Sequence, residues 1–129
     1  MQYFIKQCEQ YGRGLYAATD LQGNKILFSA ELLVLSEQDT RTVASTELRD
    51  YVFTFDERRD CLVLGDGELF NHSDVPNVGY KLGKHAERTV MYFYTLVDVT
   101  AGSQLFIDYK KDLREGEKLA QYATNLMSK

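Results

Sequence analysis

Three short clusters carry groups able to bind a ligand or do chemistry. The longest is Leu69-Phe70-Asn71-His72-Ser73-Asp74-Val75-Pro76-Asn77, preceded by Gly65-Asp66-Gly67-Glu68. Its amide, imidazole, hydroxyl and carboxylate groups interrupt an apolar stretch. Polar groups buried there must find hydrogen-bond partners, and a ligand is one way to supply them. His72 beside Ser73 suggests a nucleophile and base, but consecutive residues of an extended segment point to opposite faces and do not make such a pair. Gly12-Arg13-Gly14-Leu15-Tyr16 is a two-glycine turn opening a strand, through which backbone N–H groups can approach a carboxylate or phosphate. Two glycines flanking one residue equally mark a plain tight turn. The third cluster, Thr100-Ala101-Gly102-Ser103-Gln104-Leu105-Phe106-Ile107-Asp108-Tyr109, is a turn feeding an apolar strand that sets a phenol at the rim of a sheet.

These clusters must be held by the elements between them. Short β-branched and aromatic runs separated by polar or Gly-bearing turns predict strands at Tyr3–Ile5, Leu15–Ala17, Lys25–Phe28 continuing towards Leu32–Leu35, Val52–Phe55, Cys61–Leu64, Thr89–Leu96 and Gln104–Asp108. Asp20-Leu21-Gln22-Gly23-Asn24 reads as a hairpin loop, since Gly and Asn tolerate positive φ. Leu113, Leu119, Tyr122, Ala123 and Leu126 recur at helical spacing, which predicts a C-terminal amphipathic helix over about 115–127. No repeat, linker or charge block divides the chain, so residues 1–129 read as one β-rich domain.

Composition narrows the classes further. Leu, Ile, Val and Phe stand above the roughly 20% floor below which chains stay disordered. Nine Tyr and seven Phe with no Trp lean towards a strand-rich fold or a stacking site. A net charge of −4 without any Lys/Arg block argues against a domain that grips nucleic acid. The longest apolar run, Val90–Tyr94, is far shorter than the ~20 residues of a membrane span. The N-terminus shows no targeting pattern, and Cys8 and Cys61 read as reduced thiols, so a cytoplasmic location is expected. Neither cysteine stands at zinc-ligand spacing from His72 or His85, and no metal is expected.

In this order the three clusters resemble the SET-domain family of protein-lysine methyltransferases. Gly12-Arg13-Gly14-Leu15-Tyr16 is similar to its G-x-G-x-F/Y turn, Leu69 to Ser73 with Pro76-Asn77 to its R-F-I-N-H-S-C-x-P-N stretch, and Gly102 to Tyr109 to its G-E-E-L-x-x-D-Y strand. Leu48-Arg49-Asp50-Tyr51-Val52-Phe53 is similar to a segment that small members carry ahead of the second motif. The resemblance spans about residues 12–109. It implies a mainly β fold, a β-clip-like arrangement of small sheets with a pseudoknot and a C-terminal helix.

The resemblance also implies roles. The backbone around Gly12, Arg13, Gly14, Leu15 and Tyr16 would hold S-adenosylmethionine, Asn71 would bind its amino group, and His72 would meet the adenine chiefly through its backbone. Threading of the second and third motifs past each other would bring Asn71 to Tyr109, the match to the catalytic tyrosine. Tyr51 is a second candidate for the lysine channel, and Ile107 occupies the family's Phe/Tyr switch position. Without a hydroxyl there to pin a water, the site is not expected to stop at monomethylation. A substrate lysine has a reference pKa near 10.4 and must lose its proton before attack. Burial beside a sulfonium charge lowers that value, so no strong protein base is obligatory.

Departures from the pattern are equally informative. Asp74 stands where many members have Cys, Gln104 where many have Glu, and with no cysteine after Tyr109 in these residues a zinc-binding post-SET segment is not expected. The terminal helix, with Tyr122 as an aromatic lid, is the candidate for closing the channel. Asp66, Glu68 and Asp74 would suit a basic substrate such as a histone or histone-like protein, and the minimal members that the chain resembles include dimers. A non-catalytic module that retains the fold and the cofactor is the alternative from another class.

Overall fold

The computed structural model describes residues 1–10 and 12–109. In chain order these form β1 (Tyr3–Cys8), β2 (Gly12–Ala17), β3 (Ile26–Val34), helix α1 (Glu37–Val43), a 3-10 turn at Glu47–Asp50, β4 (Val52–Thr54) and β5 (Asp60–Val63). A second 3-10 turn at Asp66–Leu69 leads into β6 (Asn71–His72), followed by β7 (Val78–His85), β8 (Arg88–Thr95) and β9 (Gln104–Ile107). One sheet has the order β1-β2-β9-β6 and the other β4-β5-β3-β8-β7. The fold is therefore mainly β. The expected C-terminal helix and Tyr122 lie outside the described residues.

Aromatic packing joins the sheets. The buried Phe93 ring of β8 lies 5.0 Å from Phe28 of β3 and 4.9 Å from Phe70, with Phe53 and Tyr80 at 6.4 and 6.3 Å. Leu15, Ala17, Leu105 and Ile107 complete this core from the smaller sheet. Burial of each large side chain contributes about 1.5–3 kcal/mol relative to exposure. Phe70 immediately precedes β6, so the residue that anchors the core also fixes the origin of the polar cluster that follows.

Several elements differ from the sequence expectation. Asp20–Asn24 joins β2 to β3, which lie in different sheets, so this loop is a crossover and not a hairpin. It is held by reciprocal Leu21–Val99 backbone bonds of 2.8 Å, and Asn24 does adopt positive φ, at 61°. Strand β7 was not expected, because Gly79, Lys81 and Gly83 break the strand signature. A side chain on Gly79 would collide with the Tyr94 ring at 2.5 Å, and one on Gly83 with the Tyr92 ring at 2.6 Å. The glycines are thus strand positions cleared for tyrosines of the neighbouring strand. Helix α1 buries no residue, so it carries no apolar stripe to read; its start is marked by Ser36, whose hydroxyl caps the Asp39 N–H at 3.0 Å.

Candidate active site

The site is built where two motifs far apart in sequence pair as parallel strands. Asn71 of β6 lies opposite Phe106 of β9, and His72 opposite Ile107. The Ser73 N–H continues the ladder to the Ile107 carbonyl at 3.0 Å. This is the juxtaposition the expected pseudoknot requires. Asn77 clamps the other side of β9. Its Nδ2 donates to the Gln104 carbonyl at 2.9 Å and its Oδ1 accepts from the Phe106 N–H at 2.8 Å. One amide side chain thereby replaces a strand partner for two backbone groups of β9.

Asn71 is fixed by a second network. Its Nδ2 donates to the Arg13 carbonyl at 3.2 Å and to Gln104 Oε1 at 2.8 Å. Both neighbours are acceptors, so the amide orientation is set and Oδ1 is left to accept from a further donor. β2 pairs with β9 only at Leu15 and Tyr16, so the β9 side of Gly12–Gly14 has no strand partner among the described residues. A side chain on Gly14 would lie 2.6 Å from Gln104 Oε1 and 2.8 Å from Asn71 Nδ2. Open backbone, an amide oxygen suited to an ammonium group, and a glycine whose Cβ would displace the Asn71–Gln104 amide pair form a cradle that fits the amino-acid part of S-adenosylmethionine. Gly12 adopts φ of 79°, which a side-chain-bearing residue rarely does. Leu15 contributes only backbone here, since its side chain is wholly in the core, and Tyr16 stacks on Phe4 with a ring separation of 5.7 Å.

His72 and Tyr109 form the next layer. The Tyr109 N–H donates to His72 Nδ1 at 3.0 Å, and His72 Nε2 meets Asp74 Oδ1 at 3.0 Å. An accepting Nδ1 places the ring proton on Nε2, where it donates to Asp74. Asp108 Oδ1 stands 3.7 Å from Nδ1. The Tyr109 hydroxyl donates to the Phe70 carbonyl. Burial, then the charge of Glu68 and the proximity of Tyr51, raise the Tyr109 phenol above its usual pKa. The neutral phenol is the form present near neutrality.

Tyr109 forms one wall of a cleft of ≈ 350 Å³, together with Tyr51, Phe53, Glu68, Phe70 and Ile107. Tyr51, at the end of the first 3-10 turn, is half exposed, and Ile107 is fully buried. Its lining is mixed, with aromatic walls at Tyr51, Phe53 and Tyr109 and charged groups at Arg49, Asp50 and Glu68, a combination suited to a long side chain with a polar tip. The structure thus collects Tyr51, Ile107 and Tyr109 in one cleft, and Arg13, Gly14 and Asn71 in the adjoining cradle. Asn77, Gln104 and Glu68 are the polar groups whose site positions motif reading did not assign. Asn77 was legible only as the last letter of a motif, and its clamp on β9 requires the three-dimensional pairing. Cys61 is buried in β5 with its thiol pushed up to about 12 by burial, then by Asp60 and Glu68, which makes it an inert core residue.

Comparison with known proteins agrees with this geometry. The SET domain family profile matches residues 12–110. A Schizosaccharomyces pombe relative, a histone-lysine N-methyltransferase specific for H3 lysine-37, is 28% identical over 106 residues, covering 81% of this chain and 71% of the relative. A crystal structure of a Plasmodium falciparum histone-methyltransferase candidate superposes with a TM-score of 0.71 at 22% identity, covering 86% of this chain and 95% of that one. A humanized mutant of the Chaetomium thermophilum Polycomb Repressive Complex 2 aligns with a TM-score of 0.66 at 23% identity, over 84% of this chain and 14% of that one. The family match takes in the cradle, the parallel β6–β9 pair and the tyrosine cleft together, and the chain belongs to the SET domain family.

Proposed function

We propose that the chain is an S-adenosylmethionine-dependent protein-lysine N-methyltransferase acting on a basic protein tail of the histone kind. The observation that carries the reading is the parallel β6–β9 pair, which brings the Asn71 amide of the cradle close to Tyr109 of the cleft, two residues beyond the end of β9. Asn71 Oδ1 would accept from the cofactor's ammonium group, and the open backbone at Arg13 and Gly14 would line its amino-acid portion. When bound, the cofactor supplies a methyl group made electrophilic by its sulfonium charge. Tyr51 and Tyr109 wall the lysine, excluding water from its alkyl chain while offering polar tips to its nitrogen. Oxygens at the cleft, including the phenol, give weak C–H···O contacts of about 0.5–1 kcal/mol each that help fix the direction of transfer. Alignment supplies most of the acceleration.

The substrate class follows from charge and from relatives. The chain carries −4, and Asp50 and Glu68 line the cleft, which favours a basic segment over an acidic one. The S. pombe relative bears a histone-lysine name. Ile107 lines the cleft without a hydroxyl, so more than one methyl group is transferred; a product that stops at monomethyl-lysine at saturation, by mass spectrometry, contradicts this. The reading as a whole is tested by calorimetry with S-adenosylmethionine and S-adenosylhomocysteine. Saturable heat is expected for both, and its absence counts against the reading.

A further inference from the structure

Glu68 lines the cleft as more than a source of negative charge. It belongs to the 3-10 turn that runs into β6, and that turn is pressed hard onto the core. A side chain on Gly67 would lie 2.8 Å from both the Phe93 ring and Val63 Cγ1. The next residue, Glu68, is half-buried between this core and the cleft, which it lines with Tyr51 and Tyr109. One carboxylate oxygen, Oε1, accepts from the Val63 N–H at 3.0 Å, which fixes the side chain. The other charged groups nearby are occupied or turned to water. Asp66 accepts from the Tyr3 hydroxyl at 2.7 Å. Arg49 and Asp50, also lining the cleft, face each other at 4.0 Å with side chains 67% and 79% exposed. Asp60 lies at the start of β5 beside Cys61.

We propose that Glu68 takes the proton that the incoming lysine ammonium must lose. This inference rests on the methyltransferase reading and adds a general base to it. In the transfer an N–H bond of the ammonium breaks and its electron pair stays on nitrogen as the attacking lone pair. An O–H bond forms on the carboxylate, whose proton later returns to solvent. Two opposite charges become two neutral groups, a change that a partly desolvated cleft favours. Burial, opposed by the Val63 N–H, pushes the Glu68 carboxyl up to about 7. A base is most useful when its pKa lies near the working pH.

The test compares wild type with Glu68→Gln, which keeps the volume and the acceptor for Val63. In wild type, kcat/KM on a lysine peptide is expected to rise through an ionisation near 7. In the variant kcat should fall about 10²-fold at pH 7, and its activity should climb with pH towards the lysine's own range. Glu68→Asp should retain a low-pH limb that the Gln variant lacks. Independently of turnover, infrared difference spectra of the cofactor-free protein should show a protonated carboxyl band that titrates near 7 and vanishes in Glu68→Gln. A variant with wild-type kcat and pH profile overturns the proposal, as does a band that has titrated away by pH 5. A wild type that gives no heat with S-adenosylhomocysteine overturns the methyltransferase reading itself, which separates the two failures.

Discussion

The backbone N–H of Tyr109 donates to the His72 ring at Nδ1, 3.0 Å away, so the imidazole of one motif holds the phenol-bearing residue of another. The two rings lie 5.1 Å apart, and Asp74 holds the far nitrogen. His72 is therefore a positioning residue for Tyr109 as well as the chain neighbour of Asn71.

Replacing His72 with Ala removes that pin while leaving the β6 backbone in place. The expected result is a kcat lowered about 10-fold, since small misplacements of a reacting group are costly. Cofactor affinity, read by calorimetry, should change less. Equal losses in both would mean that the ring serves the cofactor alone.

At Gly14 the prediction is steric. Gly14→Ala places a methyl group against Gln104 Oε1 and Asn71 Nδ2 at 2.6 and 2.8 Å, so the amide pair must move. S-adenosylhomocysteine binding should weaken at least about 10-fold, equivalent to about 1.4 kcal/mol. Thermal unfolding should shift far less. Unchanged affinity would show that the cradle lies elsewhere.

How much of this was legible in the sequence depends on which physical signal each residue carries. Strands β8 and β9 have continuous apolar character, and their positions were close to those expected. Strand β7 was hidden because Gly79 and Gly83 look like breakers until Tyr94 and Tyr92 are seen lying over them. The motif letters put Asn71 and Tyr109 in the site, but their adjacency depends on a parallel pairing between distant segments. Glu68 was legible only as one of several acidic residues beside the second motif, not as a residue of the cleft. Its side chain is held by the Val63 N–H, a partner that only the tertiary structure reveals.

Glu68 also links pH to stability. Its folded carboxyl, raised to about 7 from the usual 4.5, holds its proton where the unfolded chain has lost it. Stability is thus highest below the lower value and declines as pH rises through the higher one. Because the group is only partly buried, screening reduces the effect to about 1 kcal/mol. Glu68→Gln, which cannot ionise, should match wild type near pH 4 and exceed it by about that amount at pH 8 in urea unfolding. A gap that is constant with pH would contradict the raised value.

The β7–β8 turn offers a test of the fold. Ala86 and Glu87 both adopt positive φ, 50° and 68°, in a two-residue connection between the paired His85 and Arg88. That is the conformation Asn-Gly prefers. Ala86→Asn with Glu87→Gly should stabilise the protein by about 0.5–1 kcal/mol without altering cofactor affinity. A loss of stability would mean that the turn is not of this type.

The central claim is that the Tyr109 cleft receives a lysine and methylates it. The most direct measurement is transfer of radiolabelled methyl from S-adenosylmethionine to mixed histones and basic cell-lysate proteins, with Tyr109→Phe alongside. Loss of the hydroxyl leaves the Phe70 carbonyl without its donor, at a cost of about 1 kcal/mol, so the variant should fold. The account predicts label on lysine for wild type and a strongly reduced signal for the variant. Transfer undiminished in Tyr109→Phe, or none by a wild type that binds the cofactor, would contradict it.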